Sequence, residues 1–495
     1  MWRRYWFTDG GRLSAAILRI AIAVAVWWSL EVLRSGWLAN APGAPGEQGP
    51  YHPIGVWMLL GDRPPPAVVI DALWTIARVS TLAMLLGAFS RAATAVSFAA
   101  TVALASLSYA GALSWSHEFN PVLLSQLAFL GARGGDALSI DALARRHRGE
   151  PARDVPRGYQ WSIRLVQLTV ALVFAGALFH KLRGAGFTLR WATTDNLRHQ
   201  LLLRYDVGDL PRPRLVDWLL ADAWRYHGAA MLSMISQAMP LAACVLVRRP
   251  VARAVCGGFF VMEVLGIAAI MQLWDLEWLL LAVVFVDWDA LFHTQAAPPP
   301  VSWRVPRVAS AYIVILVALE LTTALGSHLD QRLRAYPFSS FQMFAKLRVR
   351  QPYDRHLPYA LPAGHFVLDP PSDEASKWLD QAYRTTVRCD PRELHARLEG
   401  ILNDARRRYA GTSFRGIRLE LVMLETDAYP ATARLEPHPV GIVAEVRDGA
   451  FTSELGSAHR ARLRYFRDDR SDAYSEPVAG SRIAVAVIDD RPWVI

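Results

Sequence analysis

Residues 161–182 read WSIRLVQLTVALVFAGALFHKL, and this stretch decides the fold class. Before its terminal lysine it carries a single formal charge, Arg164. An α-helix rises about 1.5 Å per residue, so roughly 20 mostly apolar residues cross the hydrocarbon core of a bilayer. The run from Trp161 to Lys181 meets that length. Working outward, the same pattern recurs on both sides. Toward the N-terminus lie 13–33, interrupted only by Arg19, Ser29 and Glu31, then 67–89, 92–113 and 117–133. The last of these is short, and Pro121 suits a helix start. Toward the C-terminus lie 229–247, 252–273, 276–292 and 308–327. Only Ser90 and Arg91 separate the second and third runs, which makes them a tight helical hairpin.

These runs predict an all-α polytopic membrane bundle of about nine transmembrane helices over residues 1–328. A smaller extracytoplasmic α+β or β-rich domain is expected over 329–495. Composition agrees: 53% of the 495 residues are hydrophobic and 18 are tryptophan, as aromatic belts at two membrane interfaces require. Mean hydropathy is positive, at +0.18. The Gly/Pro-rich stretch NAPGAPGEQGPYHPIG, 40–55, breaks the first run from the second. Beyond the last run, SKWLDQAYRTTV and ELHARLEGILNDARRRY read as helical within 372–409. IRLELVMLETD, GIVAEVRD, ARLRYFRDD and RIAVAVIDD alternate as strands do.

The chain carries 53 basic and 44 acidic side chains, a net charge of +9. In a soluble protein that excess would raise the question of nucleic acid, but no nucleic-acid motif is present. The arginines instead gather in short loops. With the N-terminus in the cytoplasm, Arg91, ARRHR (144–148), VRRP (247–250) with Arg253, and SWRVPR (302–307) all fall on the inner side. The expected location is therefore the cell membrane, multi-pass, with the C-terminal domain outside. The basic segment 182–227 runs against this scheme. The three cysteines, Cys244, Cys256 and Cys389, form neither a CxxC nor a zinc spacing, and no metal is expected. No cleavage site follows the first apolar run, so it is expected to remain as a span.

Charge inside a membrane is costly and marks candidate chemistry. Arg19, Glu31, Asp71, Arg78, His117, Arg164, His180, Lys181, Glu263 and Glu320 are the candidates. A lysine held among apolar groups becomes a base near neutral pH; a lysine at a helix end can equally snorkel to the headgroups. His117, in WSHEFNP, is either an acid–base group or an interfacial cap, and Glu118 and Asn120 beside it suit capping. Glu263, mid-run in GGFFVMEVLGIAAIM, should face the bundle interior, with Arg78 and Arg164 as candidate ion-pair partners. Serine-hydrolase, nucleotide-binding, zinc-protease and dinucleotide motifs are all missing.

Several segments together resemble a known family. They are QLTVALVFAGALFHKL followed by DNLRHQLLL, SHEFNPVLL, FFVMEVLGIAAIMQLWDLEWLLLAVVF and YPFSSFQMFAKLRV. In this order they are similar to the vitamin K-dependent γ-glutamyl carboxylase superfamily, whose bacterial branch comprises the HTTM-like membrane proteins. The resemblance spans roughly residues 1–350. It implies that Lys181 is the base that deprotonates a reduced quinone, with His117 as its catalytic partner. The resemblance also implies a vitamin K hydroquinone-like cofactor, and Glu263, Asn120 and His180 are the residues expected to line its substrate-binding cavity. The chain departs from the pattern in three places. His180 precedes the lysine where the family often has a small residue or another lysine. Glu263 stands where a histidine is expected. The C-terminal part is much shorter than in the animal carboxylases, and their propeptide-binding portion is not evident.

The expected function is thus carboxylase-like or quinol-epoxidising chemistry, of carbon–carbon lyase or ligase type, at an outward-facing cavity. The partners expected are the bilayer, a lipophilic quinol, and a protein or peptide substrate. A non-enzymatic scaffold, or a lipid-handling protein presenting its external domain to a partner, is the alternative. Transport ranks third, since the chain lacks the internal repeat common in transporters.

Overall fold

In the computed structural model, the residues described are 2–8, 10–40, 53–60, 64–110, 118–150, 156–207, 210–292 and 307–326, interrupted stretches between 336 and 453, and 486–488 and 491–494. Among them, seven helices are long and apolar enough to cross a membrane. They lie in α1 (Arg12–Asn40), α2 (Ala67–Leu86), α3 (Ser90–Ala110), α5 (Pro156–Gly184), α9 (Ala223–Val245), α10 (Pro250–Met271) and α12 (Arg307–Gly326). Two of the nine expected spans are corrected. The run 117–133 yields only α4 (Asn120–Ala128), about 14 Å long at the usual helical rise. It stops where Gly131 takes φ +75°. The run 276–292 yields α11 (Glu277–Leu281), a 3-10 turn (Ala282–Phe285) and a short helix, Trp288–Leu291. Val286 is extended there, and Asp287 caps the next turn by accepting from the Ala290 N–H. Apolar composition gave these segments a burial requirement, and they meet it inside the protein rather than by spanning.

α5 is the axis of the bundle. It is the most buried of the seven and packs against α1, α4, α9 and α12. α2 and α3 form the tight hairpin expected, turning at Gly87 with φ +68°. Arg19 of α1, fully buried, donates to the carbonyls of Leu85, Gly134 and Leu138. It ties the hairpin turn to the following loop. Arg78 and Glu31 pair at 2.6 Å between α1 and α2.

After α5 the chain folds into short helices α6 (Arg190–Thr193), α7 (Asn196–Leu202) and α8 (Arg214–Leu220) before entering α9. On these sits a four-stranded antiparallel sheet in the order β1-β3-β4-β5: β1 Ala360–Asp369, β3 Gly416–Glu425, β4 His438–Arg447 and β5 Ala450–Ser453. A second sheet orders β2 (Val387–Arg388), β7 (Arg491–Val494) and β6 (Ala486–Ile488). β4 and β5 turn through Asp448 and Gly449, both at positive φ, as a two-residue hairpin requires. In β3 the buried side chains are Ile417 and Leu419, then Val422 and Leu424. The switch from odd to even positions coincides with the register shifts at Leu419/Glu420 and Leu421/Val422. Helix α13 (Pro391–Arg408) covers this sheet with Leu394, Leu398, Ile401, Leu402 and Ala405, an apolar stripe of helical period. The helix is shorter than the stretch 372–409 suggested, since Val387–Arg388 is strand. The strand β1 was missing from the alternation pattern, and ARLRYFRDD lies outside the described residues. One hydrophobic cluster joins sheet and helices, running from Leu361, Leu368 and Ile417 to Trp191, Leu201, Tyr205 and Tyr226.

Candidate functional site

The site forms at the end of the bundle where α5 and α10 finish and α4 and α9 begin. α5 is stopped by a reversal: Gly186 takes φ +66°, the Phe187 N–H reaches back to the Leu182 carbonyl at 2.6 Å, and the Gly186 N–H to Arg183. The returning chain lays Trp191 of α6 over the last turn. Lys181 Nζ sits 4.2 Å from the Trp191 ring centre, and the indole Nε1 donates to the Phe344 carbonyl, which fixes the ring. Lys181 is 2% exposed. Lys181 is thus covered by protein at the end of α5, with the Trp191 ring against its ammonium. Among the described residues no carboxylate oxygen lies within 4.0 Å of Nζ, and Glu263 attracts it from farther away.

Glu263 faces inward from α10, as expected, but its partners differ from those anticipated. Oε1 accepts from Ser233 Oγ at 2.8 Å and from Gln237 Nε2 at 2.7 Å, two residues one turn apart on α9. Arg78 is taken by Glu31, and Arg164 donates to Thr8 and lies over the Tyr5 ring. One turn before Glu263, Phe260 packs on Phe174 of α5 with ring centres 5.1 Å apart. Phe174 also meets Trp278 of α11, whose Nε1 donates to the Glu118 carbonyl. The apolar trio therefore locks α5, α10, α11 and the start of α4 to one another.

Asn120 opens α4 and is fully buried; neither its Oδ1 nor its Nδ2 has a hydrogen-bond partner among the described residues. His180 is buried, with its ring against Phe179, and is turned about 100° around α5 from Lys181. His117 lies outside the described residues. Two carboxyls, Asp275 and Glu277, escaped the sequence reading, and Glu118 was read there only as a cap. Glu118 and Asp275 share a hydrogen bond, and burial raises both, Asp275 to about 8. Burial also lifts Glu277 to about 7. In sequence, QLWDLEW falls where the runs 252–273 and 276–292 meet, with Glu277 at the start of the second. Its acids are buried because α11 folds inward.

A second polar cluster lies beneath the sheet. His199 Nδ1 bonds to the Arg348 carbonyl at 2.5 Å, and its ring stacks on Tyr359. Burial, then the adjacent Arg198, push its imidazole down to about 4. Asp195 is held low despite its burial by Tyr226, His227 and Tyr353. A small cleft is lined by Asp195, Arg198, His199, Tyr353 and Arg355.

No protein-family model, curated protein or solved structure matches the chain. The resemblance to the carboxylase superfamily rests on the quoted segments alone. What the fold supports directly is a multi-pass, mostly helical membrane protein carrying a small antiparallel sheet.

Proposed function

We propose that the bundle houses an enzyme site for a lipophilic quinol, of carboxylase-like or epoxidising type, with Lys181 as its base. The observation that carries this reading is the placement of Lys181, buried under Trp191 with a carboxylate nearby but not in contact. An amine so placed takes a proton at Nζ, and Glu263 compensates the charge that results. Asn120 offers one donor and one acceptor to a ligand oxygen, which suits a reduced quinone. When bound, such a group would supply reducing electrons and a weakly acidic hydroxyl. Ser233 and Gln237 hold Glu263 in place, His117 is the partner that the resemblance implies, and His180 belongs to the expected lining.

In this reading the N-terminus is cytoplasmic. Residues 1–328 form the membrane unit, and 329–495 form an extracytoplasmic unit that meets a protein or peptide substrate. The test is quinol turnover by purified protein in lipid. Lys181→Ala is expected to abolish it, and unchanged turnover would remove the base assignment. The scaffold reading is favoured by one observation, the apolar core shared by sheet and short helices. It expects Asn120, Lys181 and Glu263 to be replaceable together without phenotype.

A further inference from the structure

The described spans hold another buried carboxyl that the quinol site does not use. Glu320 lies 13 residues into the 20-residue helix α12, well inside the apolar run. On this helix Ile313, Leu316, Glu320 and Ala324 form one buried stripe, and it packs against α5. The neighbours Leu319 and Leu321 are exposed on the opposite side, where lipid would lie. Glu320 itself is 6% exposed. Its Oε1 accepts from Thr169 Oγ1 of α5 at 2.8 Å. Its Oε2 is buried and has no hydrogen-bond partner among the described residues.

The contrast with Glu263 is informative. Glu263 has two neutral donors on one oxygen and a lysine nearby. Glu320 has one neutral donor and, among the described residues, no cationic side chain within 4.0 Å. Tyr312 lies about two turns earlier on the same helix, and its hydroxyl donates to the Leu127 carbonyl. A carboxylate in apolar surroundings needs a counter-charge or a set of donors, and a neutral acid needs neither. The Thr169 hydroxyl marks Oε1 as the carbonyl oxygen. The acid hydrogen then sits on Oε2, the atom that lacks a partner. A buried polar atom without a protein partner calls for a small one, and water is the simplest.

We propose that Glu320 is a membrane-embedded proton-binding site. It is a neutral carboxylic acid whose Oε2 hydrogen exchanges with water admitted along the seam between α5 and α12. The transfer is a plain proton exchange: the O–H bond at Oε2 breaks as a water oxygen takes the proton, and re-forms from the same water chain.

Infrared difference spectroscopy of the full-length protein in lipid tests this. The spectrum of the wild type minus that of Glu320→Gln should show the carbonyl stretch of one protonated carboxylic acid. Glu263→Gln should leave that band in place. Thr169→Val should move it to higher frequency, since the hydrogen bond to Oε1 is lost. Transfer to heavy water should shift it downward. If the difference spectrum shows an ionised carboxylate band instead, the site is not a neutral acid and the proposal falls. A protonated band that does not respond to heavy water would show a sealed structural acid, and the exchange would be refuted. Should Glu320→Gln fail to fold, the Thr169→Val shift and the heavy-water response in that variant decide the same two points.

Discussion

The pairing of Lys181 with Glu263 can be measured without knowing any substrate. Each side chain is buried, and each is the other's charged neighbour. Breaking a buried ion pair costs about 3–5 kcal/mol, because the partner left behind is uncompensated. The structure splits the two single replacements across that range. Lys181→Met leaves Glu263 with the hydrogen bonds from Ser233 and Gln237, so its cost should fall near about 3 kcal/mol. Among the described residues, Glu263→Gln leaves Lys181 with the face of Trp191, an interaction worth about 2 kcal/mol when desolvated, so its cost should approach about 5 kcal/mol. The double variant removes both charges and keeps shapes close. It should cost less than the summed single replacements by about 3 kcal/mol, the upper end of couplings between neighbours. Reversible unfolding of the four proteins in lipid bicelles, read by steric trapping, gives the cycle. Additive losses would mean that the two groups do not sense one another. A harmless Lys181→Met would mean that the site is not organised around a buried charge. The order of the single costs is also at stake, since a larger loss for Lys181→Met than for Glu263→Gln contradicts the partner accounting.

Other outcomes follow from single groups. Asn120→Leu should stabilise the ligand-free protein by about 1–3 kcal/mol, since it removes two buried polar atoms that lack partners among the described residues, while abolishing quinol binding; a destabilised variant would place a protein partner on the amide. Asp206 has a fully buried carboxylate that accepts from Arg212 and from the Leu435 N–H at 2.9 Å. Asp206→Ala should cost about 3–5 kcal/mol and speed proteolysis near residues 433–435, and unchanged cleavage would show that this strap carries no load. His199 is held at about 4 in the folded state by burial and by Arg198, against about 6.5 when unfolded. The unfolded chain then gains a proton below about pH 6.5 that the folded chain refuses until about 4, so stability is flat above that window and falls by about 3 kcal/mol through it. His199→Asn should flatten the stability profile there and leave the further loss from Asp195, which is held low, at more acidic pH; an unflattened profile would assign the acid loss to other groups.

The spans were legible because lipid demands a simple quantity, a sufficient run of apolar side chains, and seven runs supply it in helical form. The two misread runs are rich in apolar residues, although 117–133 also holds His117, Glu118, Asn120, Gln126 and Arg133. They differ in carrying a breaker or a capping residue, Gly131 in one and Asp287 in the other, and hydropathy does not register these. Lys181 and Glu263 were legible as charges in apolar company. Their partners were not, because Trp191, Ser233 and Gln237 come from other elements and carry no mark of their own in the sequence. In the same way β1 was hidden by Pro362 and Gly364, which weaken its alternation, although it pairs with β3 along ten positions.

The basic segment 182–227 runs against the orientation that the four short basic loops suggest, and its contacts in the fold give a reason. Positive charge fixes orientation when it is free to stay hydrated on one side of the membrane. Here four of the segment's seven arginines are committed within the fold. Arg198 donates to the Asp427 carbonyl, Arg204 to the Gln272 carbonyl, Arg212 binds Asp206, and Arg225 pairs with Asp222 between the rings of Trp218 and Trp224. Two of these four contacts reach carbonyls distant in sequence, and none leaves the guanidinium as a free surface charge. The segment's charge therefore reports on how α7, α8 and the sheet are held together, and it carries little weight against the four short basic loops. The Lys181 end of the bundle lies on the side of the sheet, since the Trp191 that covers Lys181 belongs to the apolar cluster that the strands share.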